Sequence, residues 1–200
     1  MLAWHALGGL ALASAAVTGT PGPTNLSLLA AASTYGVGRC RNYLLGIIGG
    51  TLIVVVAAAA GVTAMLRAVP LLAPVELVAG TLYILWLACH IATAPPLASS
   101  PRAQRDAPSW PGGLLLGVAN PKAWIALAAV FGTAQRESTG LLTTGAGVGV
   151  VALMVCAASA TWLVAGRAVT PLFSAPRRAR VVNVCLAAAL VAAMAFSAFT

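Results

Sequence analysis

TPGPTN at residues 20–25 and NPK at residues 120–122 are two polar stretches that interrupt long apolar segments of this chain. Proline removes a backbone donor and clashes with the preceding helical turn, and it pushes the residue before it towards extended geometry. In hydrocarbon the freed backbone groups find no water, so such breaks are tolerated only where protein or a wet cavity satisfies them. The two stretches, one in each half of the chain, therefore predict a shared polar site inside a helical bundle.

The composition is that of an integral membrane protein. Of the 200 residues, 60% are hydrophobic and 7% are charged, whereas a soluble domain carries about 25% charged residues. The apolar segments lack the period-2 alternation of an outer-membrane barrel. The net charge of +8 could suggest nucleic-acid binding, but the basic residues lie in short gaps between apolar segments, as they do in membrane loops. We therefore predict an all-α protein embedded in the lipid bilayer, without a nucleic-acid partner.

The sequence contains no pattern for a cofactor, a metal ion or a disulfide framework. Its four cysteines form no CxxC motif, and His5 and His90 are isolated from each other. Residues 2–19 end in small side chains like a signal peptide, but no Lys or Arg precedes the apolar run. We interpret this stretch as a retained helix, and we expect no cofactor and no metal site.

Six apolar segments are each consistent with a membrane span of about 20 residues. They run at about Leu2–Thr34, Tyr43–Leu66, Val75–Ala94, Gly112–Ala134, Thr139–Ala165 and Val181–Ala198. The single domain, 1–200, then divides into a first repeat at about 1–94, a loop at 95–111 and a second repeat at about 112–200. The breaks fall in the first and fourth segments, and three spans per half turn the second half upside down. This is the inverted-repeat architecture of many secondary transporters, which bind substrate at broken helices near the midplane.

The basic residues predict the orientation of the chain. Eight of them follow segments one, three and five: Arg39, Arg41, Arg102, Arg105, Arg167, Arg177, Arg178 and Arg180. Only Arg67 and Arg136 follow segments two and four. Cytoplasmic loops carry the excess of Lys and Arg, so both termini are expected outside a cytoplasmic (inner) membrane that the chain crosses several times.

The second break combines a helix start with a charge inside an apolar segment. Asn is a favoured N-cap residue and Pro is favoured at the first helical position, so Asn120-Pro121 should start a new helix whose N-terminus favours an anion. Lys122 adds a positive charge within that first turn, where a charge in the membrane costs roughly 2.5 kcal/mol or more. Lys122 is thus placed unfavourably in two respects, as a cation at a helix N-terminus and as a charge within the membrane, and an arriving anionic group would relieve both. The alternative is that Lys122 snorkels to an interface.

The first break and one acid complete the candidate site. Thr24 and Asn25 offer polar side chains directly after Pro23, and the alternative is a purely structural kink. Glu76 is the only acid inside an apolar segment; an intramembrane carboxylate is a functional candidate, although this one could also lie at the outer interface. The candidate substrate-binding residues are Pro21, Gly22, Pro23, Thr24, Asn25, Asn120, Pro121 and Lys122, with Glu76 as a candidate for coupling.

These motifs together resemble the LysE/RhtB amino-acid exporter family. They are Thr20-Pro21-Gly22-Pro23 followed by Tyr35-Gly36, a glycine-rich second segment, Gly80-x-x-Tyr83, and Asn120-Pro121-Lys122 after Gly113. The resemblance covers nearly the whole chain. It implies a six-helix inner-membrane protein, sometimes a homodimer, that exports amino acids or related small molecules with the proton gradient.

The chain departs from the family pattern at three places. Thr20 stands where the family usually has Gly, and the proline that follows the fourth segment is missing around Phe131-Gly132-Thr133. Many members also carry an acid after a glycine in the second segment, where this chain has Gly50-Thr51. The identity of the coupling ion therefore stays open, as does the question of whether Glu76 replaces that acid.

The sequence favours a secondary exporter of an amino acid or a similar small zwitterion. The alternatives are an exporter of another solute or of a cation, and a membrane subunit without transport activity. A cation site needs gathered acids or soft ligands, and the sequence does not gather them. An intramembrane enzyme would need a nucleophile with a base, or a metal cluster; neither these nor a phosphate-binding GxxxxGK[ST] loop occurs here.

Overall fold

A computed structural model describes residues 2–61, 72–93, 106–137, 145–171 and 176–199, and eight helices lie within these ranges. In chain order they are α1 (Leu2–Gly19), α2 (Pro23–Tyr35), α3 (Arg41–Ala59), α4 (Leu72–Ala92), α5 (Trp110–Val118), α6 (Pro121–Glu137), α7 (Gly145–Val169) and α8 (Pro176–Phe199). The described residues contain no strand. The protein is therefore all-helical over these ranges.

Both polar stretches interrupt the helical backbone. Helix α1 ends at Gly19 and α2 begins at Pro23, while Gly22 between them is extended, with φ −166° and ψ 175°. Helix α5 ends at Val118 and α6 begins at Pro121, and the two are bent by 53°. In both cases proline occupies the first helical position, where its missing N–H is no loss.

Three described helices are long and apolar enough to cross a membrane. They are Arg41–Ala59, Gly145–Val169 and Arg177–Phe196. The bent pair Trp110–Val118 and Pro121–Gly132 counts as a fourth span if it crosses as one unit, and Leu7–Gly19 and Val78–Ala92 are shorter apolar helices. The described residues thus contain three to four candidate spans by length and composition, against the six that the sequence predicts.

Several helix bounds differ from the predicted segments, for example α8, which begins at Pro176 rather than Val181, and two of the differences have a local cause. In the second segment α3 ends at Ala59 and Gly61 takes a left-handed φ of 72°, as expected for glycine after a helix C-terminus; the rest of the segment, to Leu66, lies outside the described residues. The fourth segment begins at Trp110 rather than Gly112. Ser109 is its N-cap, and its Oγ accepts a hydrogen bond of 3.4 Å from the Gly112 N–H.

Glycines allow α3 and α5 to pack with their backbones in contact. Gly46 and Gly50 of α3 face Gly113 and Gly117 of α5, and a Cβ atom at any of the four would overlap backbone atoms of the opposite helix. Gly166 likewise allows α7 to pack closely on α2, because a Cβ atom at this position would lie 2.6 Å from the Ala32 Cβ. Small residues at helix contacts are typical of membrane bundles.

The helices enclose two apolar clusters. One surrounds Tyr43, Leu28 and Ile47, which are fully buried, and draws on α2, α3, α4, α5, α7 and α8. The other surrounds Phe131, Val54 and Val155 and draws on α1, α3, α6 and α7. Large apolar side chains such as Leu12, Leu153 and Phe196 are more than half exposed, and exposed apolar side chains of this size suit a lipid environment.

Candidate functional site

The carbonyl groups released at the end of α1 are bound by side chains. The Asn25 side chain donates from Nδ2 to the carbonyl oxygen of Thr18 at 2.7 Å and to that of Thr20 at 2.9 Å. Trp162 of α7 donates from Nε1 to the Gly19 carbonyl oxygen at 3.1 Å. Backbone groups without a partner are costly in hydrocarbon, so Asn25 and Trp162 explain how the first break is tolerated.

The N–H groups at the start of α2, unlike the carbonyl groups at the end of α1, have no side-chain cap. Gly22 occupies the N-cap position and supplies no side-chain hydrogen bond to the first N–H groups of the helix. The Leu26 N–H donates to the Gly22 carbonyl oxygen at 2.9 Å and begins the regular helical pattern. The N-terminus of α2 therefore keeps its partial positive charge.

Asn120 lies at the second break, and its side chain is turned towards the first. Its Nδ2 donates to the Thr24 Oγ1 at 3.3 Å, while its Oδ1 is buried without a hydrogen-bond partner. The Val118 carbonyl oxygen at the end of α5 accepts from the Trp124 Nε1 at 2.6 Å. Asn120 precedes the helix as predicted, but its side chain joins the two breaks instead of capping α6.

The Lys122 side chain also crosses from the second break to the first. Its Nζ donates to the Thr20 Oγ1 at 2.6 Å, to the Pro21 carbonyl oxygen at 2.9 Å and to the Thr20 carbonyl oxygen at 3.0 Å. The ammonium thus lies at the C-terminal end of α1, where the helix dipole favours a cation. The charge that the sequence places unfavourably at the start of α6 is stabilised by the other half of the chain.

Gly22 makes this crossing sterically feasible. A Cβ atom at this position would lie 2.9 Å from the Lys122 Cδ and 3.1 Å from its Nζ. Contacts below 3.0 Å essentially never occur for real Cβ atoms, so any side chain here would displace the lysine. The glycine between the two prolines thus provides the space that Lys122 occupies.

A cavity of about 40 Å³ lies where the breaks meet, with room for about three water molecules. It is formed by α1, α2, α3, α6, α7 and the second break, and small aliphatic side chains complete its wall. Its polar lining residues are Thr18, Thr24, Asn25, Thr51, Asn120, Lys122 and Ser159. Among the described lining residues, Lys122 is the charged group and no carboxylate is present.

The structure brings only part of the predicted site to the cavity. Thr24, Asn25, Asn120 and Lys122 line it. The remaining predicted residues of the two breaks shape the backbone but are not among the lining residues of the cavity; they are Pro21, Gly22, Pro23 and Pro121. Glu76 belongs to α4 by its backbone, and its side chain lies outside the residues that the structure describes.

Thr18, Thr51 and Ser159 were not predicted as site residues. Thr51 takes the position where the resemblance expects an acid, so that position does face the cavity. Ser159 is a buried polar residue in an apolar helix, which gives only a weak signal in the sequence. Across the described ranges, no group of three or more His, Cys, Asp or Glu side chains could hold a metal ion.

The Gly80-x-x-Tyr83 motif of α4 packs against α5 and the second break. A Cβ atom at Gly80 would overlap the carbonyl oxygen of Ala119, directly before the second break, and one at Gly112 would lie 2.5 Å from the Tyr83 Oη. Close approach of α4 at these two points fixes α5 from its start to its end. The motif residues Gly80 and Tyr83 thus position the second break rather than line the cavity.

Comparison with known proteins gives one family. The family model described as LysE type translocator matches residues 15–199. No curated protein matches the chain, and no solved structure matches it.

Proposed function

This chain belongs to the LysE type translocator family, and we propose that it is a secondary active exporter of amino acids or related small zwitterions. Membership makes it a multi-pass membrane transporter of small solutes, such as amino acids, and not an enzyme. The direction of transport, the zwitterionic substrate and the proton gradient as driving force are parts of the proposal.

The observation that carries the proposal is the cavity at the junction of the two breaks. Its lining combines one cation with hydroxyl and amide groups, and the uncapped N-terminus of α2 adds unpaired dipole charge. A substrate carboxylate would bind at Lys122 and the half-helix N-termini. Its ammonium would be received by backbone carbonyls or by Glu76. The described lining gathers no carboxylates, which disfavours a cation exporter.

The helix packing supports an inverted repeat of two three-helix halves. In such a repeat α1 and α2 correspond to α5 and α6, α3 corresponds to α7, and α4 corresponds to α8. Helix α3 packs on α5, and its counterpart α7 packs on α1; α3 also packs on α7, and α4 on α8. We propose six spans, of which the first and fourth are broken, and transport by rocking of one half against the other about the breaks.

The proposed orientation follows from the basic residues. The side of the bundle richest in Arg, which includes the Arg-rich starts of α3 and α8, would face the cytoplasm, with both termini outside the inner membrane. Coupling to protons would then need an ionisable group near the cavity. Glu76 is our candidate because it lies one helical turn before Gly80, the residue that packs on Ala119 at the second break. A homodimer is compatible with this proposal.

An efflux screen tests the proposal directly. Cells that overproduce the protein are loaded with labelled amino acids, and export is followed with and without an uncoupler. Lys122→Ala is expected to abolish export at an unchanged protein level. The matched control is Arg178→Ala, which removes an exposed cation outside the cavity. Undiminished efflux by the Lys122 variant would remove this lysine from the site, and the absence of uncoupler-sensitive export of every amino acid would refute the function.

A further inference from the structure

The oxygens that hold Lys122 form a ready-made site for an ammonium group. The Thr20 Oγ1 and the carbonyl oxygens of Thr20 and Pro21 lie 2.6–3.0 Å from the Lys122 Nζ. An alkylammonium has three N–H donors and no acceptor, and here each donor has one oxygen. We call these three oxygens the ammonium cage.

Lys122 cannot turn to a substrate anion without leaving this cage. The Thr20 carbonyl oxygen would keep its hydrogen bond from Asn25, but the Pro21 carbonyl oxygen has Lys122 as its described hydrogen-bond partner. Thr20 and Pro21 are exposed on the bundle, and in the hydrocarbon of a membrane an acceptor that loses its donor finds no water to replace it and is penalised. A carboxylate that attracts Lys122 would therefore bind weakly unless a second cation refills the cage.

From this geometry, and resting on the proposed function, we infer that the substrate's own ammonium group replaces Lys122 in the cage while Lys122 turns to the substrate's carboxylate. Lys122 thus occupies the ammonium site of the empty transporter. The site then takes compounds that carry a primary ammonium and a carboxylate on the same small skeleton. A 2-hydroxy acid cannot refill the cage, and a simple amine cannot draw Lys122 out of it.

Two further features of the cavity fit a ligand that brings N–H donors. Asn120 is 4% exposed, lines the cavity and has an Oδ1 without a hydrogen-bond partner. The described lining also lacks a carboxylate, so neutral oxygens are the acceptors at hand for a substrate cation. The cage and Asn120 provide them at the junction of the breaks.

The test uses the fact that Lys122 is the only lysine of the chain. Full-length protein is labelled with ¹⁵N-lysine and reconstituted in nanodiscs, so that one Nζ resonance reports on the cage. L-alanine, L-lactate and ethylamine are titrated as probes, because they share a small skeleton and differ in the two charged groups. L-alanine is expected to shift the resonance saturably, with an affinity about tenfold or more above that of either analogue.

Variants separate the cage from general effects on the protein. Thr20→Val removes the Oγ1 and is expected to weaken L-alanine binding by about tenfold, with L-lactate affected much less; Thr20→Ser, which keeps the oxygen, should restore the preference. Thr161→Val is the control, because its hydroxyl is exposed and bonds only within α7. L-lactate binding as tightly as L-alanine, or an unmoved resonance at saturating L-alanine, would overturn the inference. If cells still export amino acids in either case, the proposed function survives; if they export none, both fail.

Discussion

Gly50 and Gly49 are neighbours in α3, yet we expect opposite effects when each is replaced by alanine. Gly50 faces α5, where a Cβ atom would overlap the Leu114 carbonyl oxygen and lie 2.9 Å from the Gly117 Cα. Gly49 has the Leu114 Cδ1 as its nearest neighbour, at 3.6 Å from the position of a Cβ atom, which is ordinary contact. The pair therefore isolates the backbone contact between the two helices.

The magnitude follows from two opposing terms. Both substitutions gain about 0.8–1.0 kcal/mol of helix propensity, so this term cancels when the two variants are compared. Forcing a methyl group into a packed contact costs about 1–3 kcal/mol, and only Gly50→Ala incurs it. At about 2–4 °C per kcal/mol for a chain of this length, Gly50→Ala should melt about 2–12 °C below Gly49→Ala.

The assay is thermal unfolding of both purified variants in the same detergent, followed by tryptophan fluorescence. Gly49→Ala should match or exceed the unchanged protein. Equal melting temperatures for the two variants would refute the close α3–α5 contact, and so would a higher value for Gly50→Ala. Since α5 ends at the second break, Gly50→Ala should also reduce transport.

Three further predictions concern the break, the cavity and one thiol. Asn25→Ala removes the donor to two α1 carbonyls and should lower the free energy of unfolding by about 1–3 kcal/mol, whereas Asn42→Ala at an exposed site should not; equal loss in denaturant titrations would contradict this. Thr51→Asp places a carboxylate in the cavity wall and should steepen the dependence of export on external pH relative to Thr51→Asn; identical pH profiles would remove position 51 from coupling. Burial raises the pKa of the Cys40 thiol to about 12, partly opposed by Arg39, so below that pH the thiol stays protonated and unreactive. In a variant with Cys40 as its only cysteine, maleimide at pH 8 should label the denatured protein but not the folded protein. Mass spectrometry measures the label, and a maleimide adduct on the folded protein would contradict the prediction.

The sequence predicts the two breaks because proline, glycine and asparagine act locally. Proline fixes its own backbone angle and removes its own donor, so the ends of α1 and α5 could be placed to within a few residues. The low charge predicts a membrane protein, and the absence of a period-2 alternation predicts helices rather than a barrel, both without reference to contacts. The resemblance also identified Gly50-Thr51 as a position of interest, and Thr51 lines the cavity.

The partners of the site residues could not be predicted in the same way. Lys122 binds oxygens about a hundred residues earlier in the chain, and a flexible four-carbon side chain gives no sign of its direction. Trp162 and Ser159 lie in α7, which is apolar on all sides, so the sequence does not indicate which side faces the bundle. The contact of Trp162 with the first break and the place of Ser159 in the cavity wall depend on how α7 packs. The end of α3 at Ala59 depends on the positive φ of Gly61. The residues around this glycine in the sequence are mostly apolar, so the sequence gives no sign that the helix ends there.

The glycine contact between α3 of the first half and α5 of the second makes the two equivalent contacts between the halves mechanically unequal. Its counterpart, α1 against α7, has no such contact from α1, since Gly8, Gly9 and Gly19 have no neighbour within 4 Å of a Cβ position. Helices whose backbones touch have no intervening side chains that can repack, whereas side-chain contacts permit small sliding movements. During a transport cycle the two halves should therefore pivot at the α3–α5 contact, and the sliding should fall between α1 and α7.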